Sequence, residues 1–141
     1  MAIQNKFQDY VEKLVSGTHN WTAHTFKVAL TNTAPAATQT TFDPVTNHAA
    51  PTAASGYPVG GLATTITVSE TGGVATVQGT EVVFTATAGG IGPFRYAVLY
   101  NDTNDSLVSW GDYGSSITLN DTETFTAKFN NASPGSIFTI S

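Results

Sequence analysis

The chain has 141 residues, a formal net charge of −5 and no cysteine, and its length suits one compact domain. Only five side chains are Lys or Arg, so no basic patch is available to neutralise phosphates and we expect no nucleic-acid partner. No apolar run approaches the roughly 20 residues that span a bilayer, so we expect no membrane partner either. Without cysteine, disulfides and thiolate metal sites are excluded.

The N-terminal segment carries the one helical pattern of the sequence. Apolar side chains recur there at three- and four-residue spacings, at Ile3, Phe7, Tyr10, Val11, Leu14 and Val15. This spacing predicts an amphipathic helix over residues 3–16. Gly17 follows the last apolar residue and can adopt the left-handed conformation that ends a helix.

After the helical segment, the apolar side chains recur with a period of two residues. Residues 25–31 alternate between apolar and polar side chains and predict a half-buried strand. Residues 32–61 show almost no periodicity and contain four prolines, which indicates a long extended loop. The Ala, Thr and Pro content of this loop is expected to bury little apolar area, so we expect it to become ordered on a partner.

Residues 62–141 read as a β-rich core of short strands separated by turn-forming residues. The most hydrophobic strand, Phe94–Tyr100, has apolar residues on both faces and is expected to be covered on both sides. The other predicted strands are 62–69, 74–78, 81–87, 107–110, 116–119, 124–129 and 136–140. One helix followed by short strands predicts a single mainly β domain over residues 1–141, an antiparallel sandwich resembling a jelly roll.

The three histidines do not match a metal-ligand motif. His19 and His24 flank Trp21, while His48 lies far away in the predicted loop, and no acidic cluster accompanies them. The stretch 101–105 is rich in Asn and Asp, but it lacks the Gly and Glu of a calcium loop, so it is interpreted as a turn. We therefore expect no metal and no cofactor.

No catalytic constellation is recognisable in the sequence. Asp112 and Glu123 could form a carboxylate pair, yet sequence gives no distance between them. The segment 112–116 contains two serines after a glycine but no partner base, and we interpret it as a turn. The chain is therefore expected not to be an enzyme.

Large aromatic side chains and the apolar face of the N-terminal helix are candidates for contact with a partner. Aromatic residues are enriched both in cores and at interface centres, so both interpretations stay open at this stage. The candidate interface residues are Ile3, Phe7, Tyr10, Trp21, Trp110 and Tyr113.

Four segments of the sequence resemble a family of small virion proteins of tailed bacteriophages. They are residues 5–7, 26–35, 92–102 and 110–114, which read NKF, FKVALTNTAP, GPFRYAVLYND and WGDYG. The resemblance extends over nearly the whole chain and is most specific from Gly92 to Tyr100. It implies a capsid decoration, or cement, protein that is made in the bacterial host cytoplasm and bound to the outer surface of the virion head.

The resemblance also implies partners. A decoration protein would contact the major capsid protein and bridge its neighbouring subunits, and self-association as a dimer or trimer would multiply weak contacts. A tail, neck or fibre component is the alternative within the virion. A carbohydrate-binding module, with Trp110 and Tyr113 stacking on sugar rings, is the alternative from another class.

Overall fold

The computed structural model describes residues 3–141, with side chains described from Gln4 onward. The described chain is mainly β and all its sheets are antiparallel, as the sequence predicted. One short helix, α1, covers Tyr10–Val15. The strands are β1 Ile3–Lys6, β2 Phe26–Thr31, β3 Ala53–Ala54, β4 Leu62–Thr64, β5 Ile66–Thr71, β6 Val74–Gly79, β7 Val82–Thr85, β8 Ile91–Asn101, β9 Ser106–Leu119, β10 Thr124–Ala127 and β11 Gly135–Ile140.

The strands form three sheets. In the main sheet the order is β1-β9-β8-β2-β4, with the short β3 pairing on β8. The second sheet has the order β11-β6-β5, and the small sheet consists of β10 and β7. One face of the main sheet packs against the second and small sheets, which makes the domain an antiparallel sandwich.

Two groups of buried side chains lie on opposite faces of the main sheet. The inner cluster fills the sandwich and takes residues from all three sheets, among them Phe26, Leu99, Val77 and Phe84. The outer cluster lies on the other face and comprises Phe7, Ala29, Phe42, Val98, Tyr100 and Leu107. Strand β8 contributes to both clusters, so the prediction that Phe94–Tyr100 is covered on both faces is confirmed.

The predicted helix over residues 3–16 is wrong in its first half. Residues Ile3–Lys6 form strand β1, which pairs antiparallel with β9, and only Tyr10–Val15 are helical. Phe7 lies fully buried in the outer cluster, whereas Tyr10 belongs to the inner cluster. The apolar residues therefore have the spacing of a helix in the sequence, but they pack into two clusters on opposite faces of the main sheet.

Strand 25–31 is confirmed as β2, but two other predictions need correction. The predicted strand 62–69 is divided at Thr65 into β4 of the main sheet and β5 of the second sheet. The segment 112–116, interpreted as a turn, lies inside the long strand β9. Its turn-like composition is overridden because Asp112 pairs with Ile3 on one side and with Tyr96 on the other.

The long loop over residues 32–61 is present, but the expectation that it buries little apolar area is wrong. Phe42 stacks on Tyr100 with ring centroids 3.8 Å apart, and Phe42 N–H donates to the Asp105 carbonyl at 2.7 Å. The Tyr57 hydroxyl accepts a hydrogen bond from Leu30 N–H at 3.0 Å. Sparse aromatic anchors, which an average over the composition conceals, thus attach the loop to both faces of the main sheet.

Replacing the anchor Phe42 should release the first half of the loop. Phe42→Ala removes a buried ring and should cost about 3 kcal/mol of stability, and residues 32–50 should become cleavable in limited proteolysis. Val45→Ala is the matched control, because Val45 is in the same loop but 82% exposed. Equal cleavage of the two variants would contradict the anchoring role of Phe42.

A second test concerns the glycine that precedes β4. Gly61 has φ +83°, and a Cβ there would overlap the Val28 carbonyl group. Gly17 has φ +84° with open space around it, so Gly17→Ala carries only the conformational cost of about 1 kcal/mol. Denaturant unfolding should show Gly61→Ala to be destabilised by clearly more than Gly17→Ala; equal losses would show that the close contact is unimportant.

Candidate interaction surfaces

Three of the six candidate interface residues are buried inside the domain. Phe7, Tyr10 and Trp21 all have less than a tenth of their surface exposed. Trp21 stacks on Phe26 with ring centroids 3.9 Å apart and an interplanar angle of 5°. The interface prediction is therefore wrong for these three rings, because packing within the chain already covers the area that a partner would bury.

Trp110 and Tyr113 remain partly exposed and stay candidates for partner contact. Trp110 packs against Phe7 at 4.6 Å, on the outer face of the main sheet. Tyr113 meets Phe125 edge-on at 4.9 Å and packs against the inner cluster. The two rings therefore belong to opposite faces. Ile3 lies in β1, and its side chain is outside the described part of the chain.

An ion pair lies beside these aromatic residues on β8 and β9. Arg95 Nε and Nη2 donate to the two carboxylate oxygens of Asp112 at 2.8 and 3.1 Å. The bond from Arg95, helped by Gly114 N–H, lowers the pKa of Asp112. The guanidinium also lies 5.4 Å from the centroid of the Tyr96 ring. Arg95, Tyr96 and Trp110 thus give these strands the residue types that are enriched at interface centres.

The carboxylates considered as a catalytic pair each have a local partner. Asp112 is held by Arg95, as described above, and Glu123 Oε2 accepts a hydrogen bond from Asn120 N–H at 2.7 Å. The Glu123 bond closes a turn between β9 and β10. These contacts account for both carboxylates as elements of local structure.

The structure brings together two of the three histidines, which sequence reasoning had left unconnected. Asn101 Nδ2 lies 3.3 Å from His19 Nδ1 and 2.9 Å from His24 Nδ1, while Asn101 Oδ1 accepts a hydrogen bond from Thr103 N–H. An amide NH₂ group donates both of its hydrogens, so each ring accepts at Nδ1. The sequence indicates only a turn at Asn101, because no sequence pattern marks a buried asparagine that hydrogen-bonds two histidines.

His48 occupies a separate position in the long loop. Its Nδ1 accepts a hydrogen bond from Asp43 N–H at 3.1 Å, and its Nε2 lies 3.1 Å from Gln39 Oε1. Burial lowers the pKa of His48, although the nearby Asp43 charge opposes the effect. This histidine joins the two ends of the turn that follows Phe42.

The histidine network should make stability depend on pH. Burial, together with the Lys13 charge, lowers the pKa of His19 to about 4, while Asp9 opposes the shift and His24 adds to it. Below about pH 6.5 the unfolded chain takes up the proton first. The stabilising contribution of His19 is therefore complete above pH 6.5 and is lost as the pH falls toward 4.

We expect unfolding free energy to fall by on the order of 2 kcal/mol for His19 between pH 7 and 4. Denaturant unfolding of His19→Gln, which does not titrate in this range, should show a smaller fall than the native protein. His48→Gln is the comparison variant, since the pKa of His48 is lowered in the same direction. A pH profile of His19→Gln identical to that of the native protein would contradict the role of His19.

A cleft opens at one edge of the sandwich, between β1 of the main sheet and β11 of the second sheet. It has a volume of about 170 Å³. Apolar side chains from β9, β11 and α1 form its floor, and polar side chains of β1 and β9 form its rim. The lining residues are Gln4, Asn5, Lys6, Tyr10, Val108, Ser109, Ile137 and Phe138.

Tyr10 adds an unusual polar group to this cleft. The side chain is only 5% exposed, and its hydroxyl has no hydrogen bond of acceptable geometry within residues 3–141, although it lies near Trp21. Burial raises the pKa of this hydroxyl, so it is a neutral donor. A buried donor without a partner costs free energy. Because this hydroxyl is shielded from solvent, the cleft presents the Tyr10 ring and not its hydroxyl to an entering group.

The fold and its surfaces together define the class of this protein as a mainly β antiparallel sandwich. Comparison of the chain with protein family models, with curated proteins and with solved structures finds no match. Within residues 3–141, no three His, Asp or Glu side chains are grouped so that they could hold a metal ion. Within the same residues, no helix has the length and apolar character needed to cross a membrane.

Proposed function

We propose that this protein is a bacteriophage capsid decoration protein, which binds the outer surface of the icosahedral head and bridges major capsid subunits. The observation that carries the proposal is the spatial arrangement of the four segments that resemble phage virion proteins. Residues 5–7, 110–114, 92–102 and 26–35 contribute to β1, β9, β8 and β2, which are consecutive neighbours in the main sheet. The resemblance therefore maps onto one continuous surface of the fold.

The outer face of this sheet is the surface we assign to the capsid. The long loop covers one part of that face through Phe42, whereas Trp110 lies beside Phe7 and remains partly exposed. Tyr96 and the Arg95–Asp112 pair lie on the adjoining part of β8 and β9. A ring anchor beside a paired guanidinium is typical of the residues that dominate interface energies.

A sugar-stacking platform made by Trp110 and Tyr113 has less support. The two rings pack on clusters at opposite faces of the main sheet, so one sugar chain would not stack on both. A tail, neck or fibre component remains compatible with the same fold. Copy number distinguishes that alternative, because a decoration protein covers a shell and the other components occur a few times in each virion.

Binding of the purified protein to expanded, undecorated heads of the same phage tests the proposal. The native protein should co-sediment with heads and saturate at a simple ratio to the major capsid protein. Trp110→Ala should weaken binding about 30-fold, as expected for loss of an aromatic anchor. Tyr113→Ala is the matched control, since it removes an aromatic ring from the same strand but from the opposite face.

Circular dichroism would establish that both variants keep the sheet structure. A failure of the native protein to bind heads would overturn the decoration proposal. Binding at only a few copies per particle would move the assignment to the neck or tail. Equal weakening of binding by the two substitutions would instead show that the capsid contact does not lie on the outer face.

A further inference from the structure

The cleft between β1 and β11 carries a charge that the domain itself does not balance. Each of the other four cations has a carboxylate within 3.6 Å, whereas Lys6, at the rim, has no ion pair within residues 3–141. The floor is apolar and includes Val108, Ile137 and Phe138. A complementary group would therefore combine an apolar side chain with a carboxylate.

The hairpin formed by β5 and β6 presents that combination elsewhere on the same chain. Val68 and Glu70 point to one face of β5, because side chains two residues apart in a strand share a face. Val68 is 42% exposed, and every residue from Thr67 to Val74 is exposed. The register Glu70–Ala75–Ile140 across β5, β6 and β11 places Ile140, which is 48% exposed, on this face.

We propose that the β5–β6 hairpin of one copy docks into the β1–β11 cleft of a second copy. Val68 contacts the apolar floor of that cleft, and the Glu70 carboxylate pairs with Lys6 at its rim. Glu70 Oε1 already accepts a hydrogen bond from Gly73 N–H at 2.6 Å, which holds the carboxylate at the tip of the hairpin. Oppositely charged groups at the two docking sites then select this pairing.

The contact must form between molecules. In the second sheet β11 and β5 are opposite edges, with β6 between them, so the hairpin of a copy cannot enter the cleft beside its own β11. Two different surfaces therefore meet, which makes the interface heterologous and joins copies head to tail. Such an arrangement closes into a ring when the rotation between copies allows it.

The size of the cleft limits the affinity. A volume of about 170 Å³ takes about one large side chain, and the interface falls below the ~1,200 Å² that stable complexes usually bury. Association should therefore be measured at micromolar to millimolar protein concentrations. Low salt is needed because the exposed ion pair is screened at high ionic strength.

Sedimentation equilibrium with charge-reversal variants tests the proposal. The native protein should associate, and Lys6→Glu and Glu70→Lys should each weaken association about tenfold or more. A chain that carries both substitutions restores opposite charges across the interface and should regain most of the lost affinity. Lys128→Glu is the matched control: it makes the same change in charge at an exposed lysine that follows β10, away from both docking sites, and it should leave association unchanged.

A native protein that stays monomeric over the whole concentration range would overturn the proposal. So would association that neither single variant weakens, or weakening without recovery in the double variant. The inference goes beyond the proposed function and does not depend on it. Variants that are monomeric but still bind heads would separate the two, because they would remove self-association while leaving the capsid contact in place.

Discussion

The whole structure depends on the position of strand β8 at the centre of the main sheet. It pairs with β9 on one side and β2 on the other, and it supplies Leu99 to the inner cluster and Val98 to the outer one. Because both faces are covered, the apolar side chains of this strand are removed from water on either side of the sheet. The remaining elements are arranged so that they cover one or the other of these faces.

The covering of the outer face explains why an ordinary sandwich has such a long connection. Two layers would leave that side of the main sheet open, and the loop over residues 32–61 closes part of it through Phe42 and His48. Trp110 and Phe7 close a second part. The surface that adjoins them is mixed, with half-buried aromatic rings beside an ion pair, and it is this mixture that makes it a candidate for contact with a capsid.

Much of the fold could be predicted from the sequence because strand periodicity is a local property. The predicted strands 25–31, 74–78 and 136–140 lie within one residue of the bounds of β2, β6 and β11. The N-terminus is predicted wrongly, because its apolar residues have the spacing of a helix although they contribute to two clusters. The candidate sites could not be predicted from the sequence. The Asn101 network and the cleft between β1 and β11 each combine residues that are distant in sequence, and no local sequence pattern indicates that they are in contact.

The two tryptophans of the chain lie on opposite faces of the main sheet. Trp21 lies in the inner cluster, stacked on Phe26, and Trp110 lies against the outer one beside Phe7. Each face of the main sheet thus has its own intrinsic fluorophore in a different environment. Single-tryptophan forms would let emission spectra follow the two layers separately, and reveal whether they melt together or whether the loop-covered face opens first.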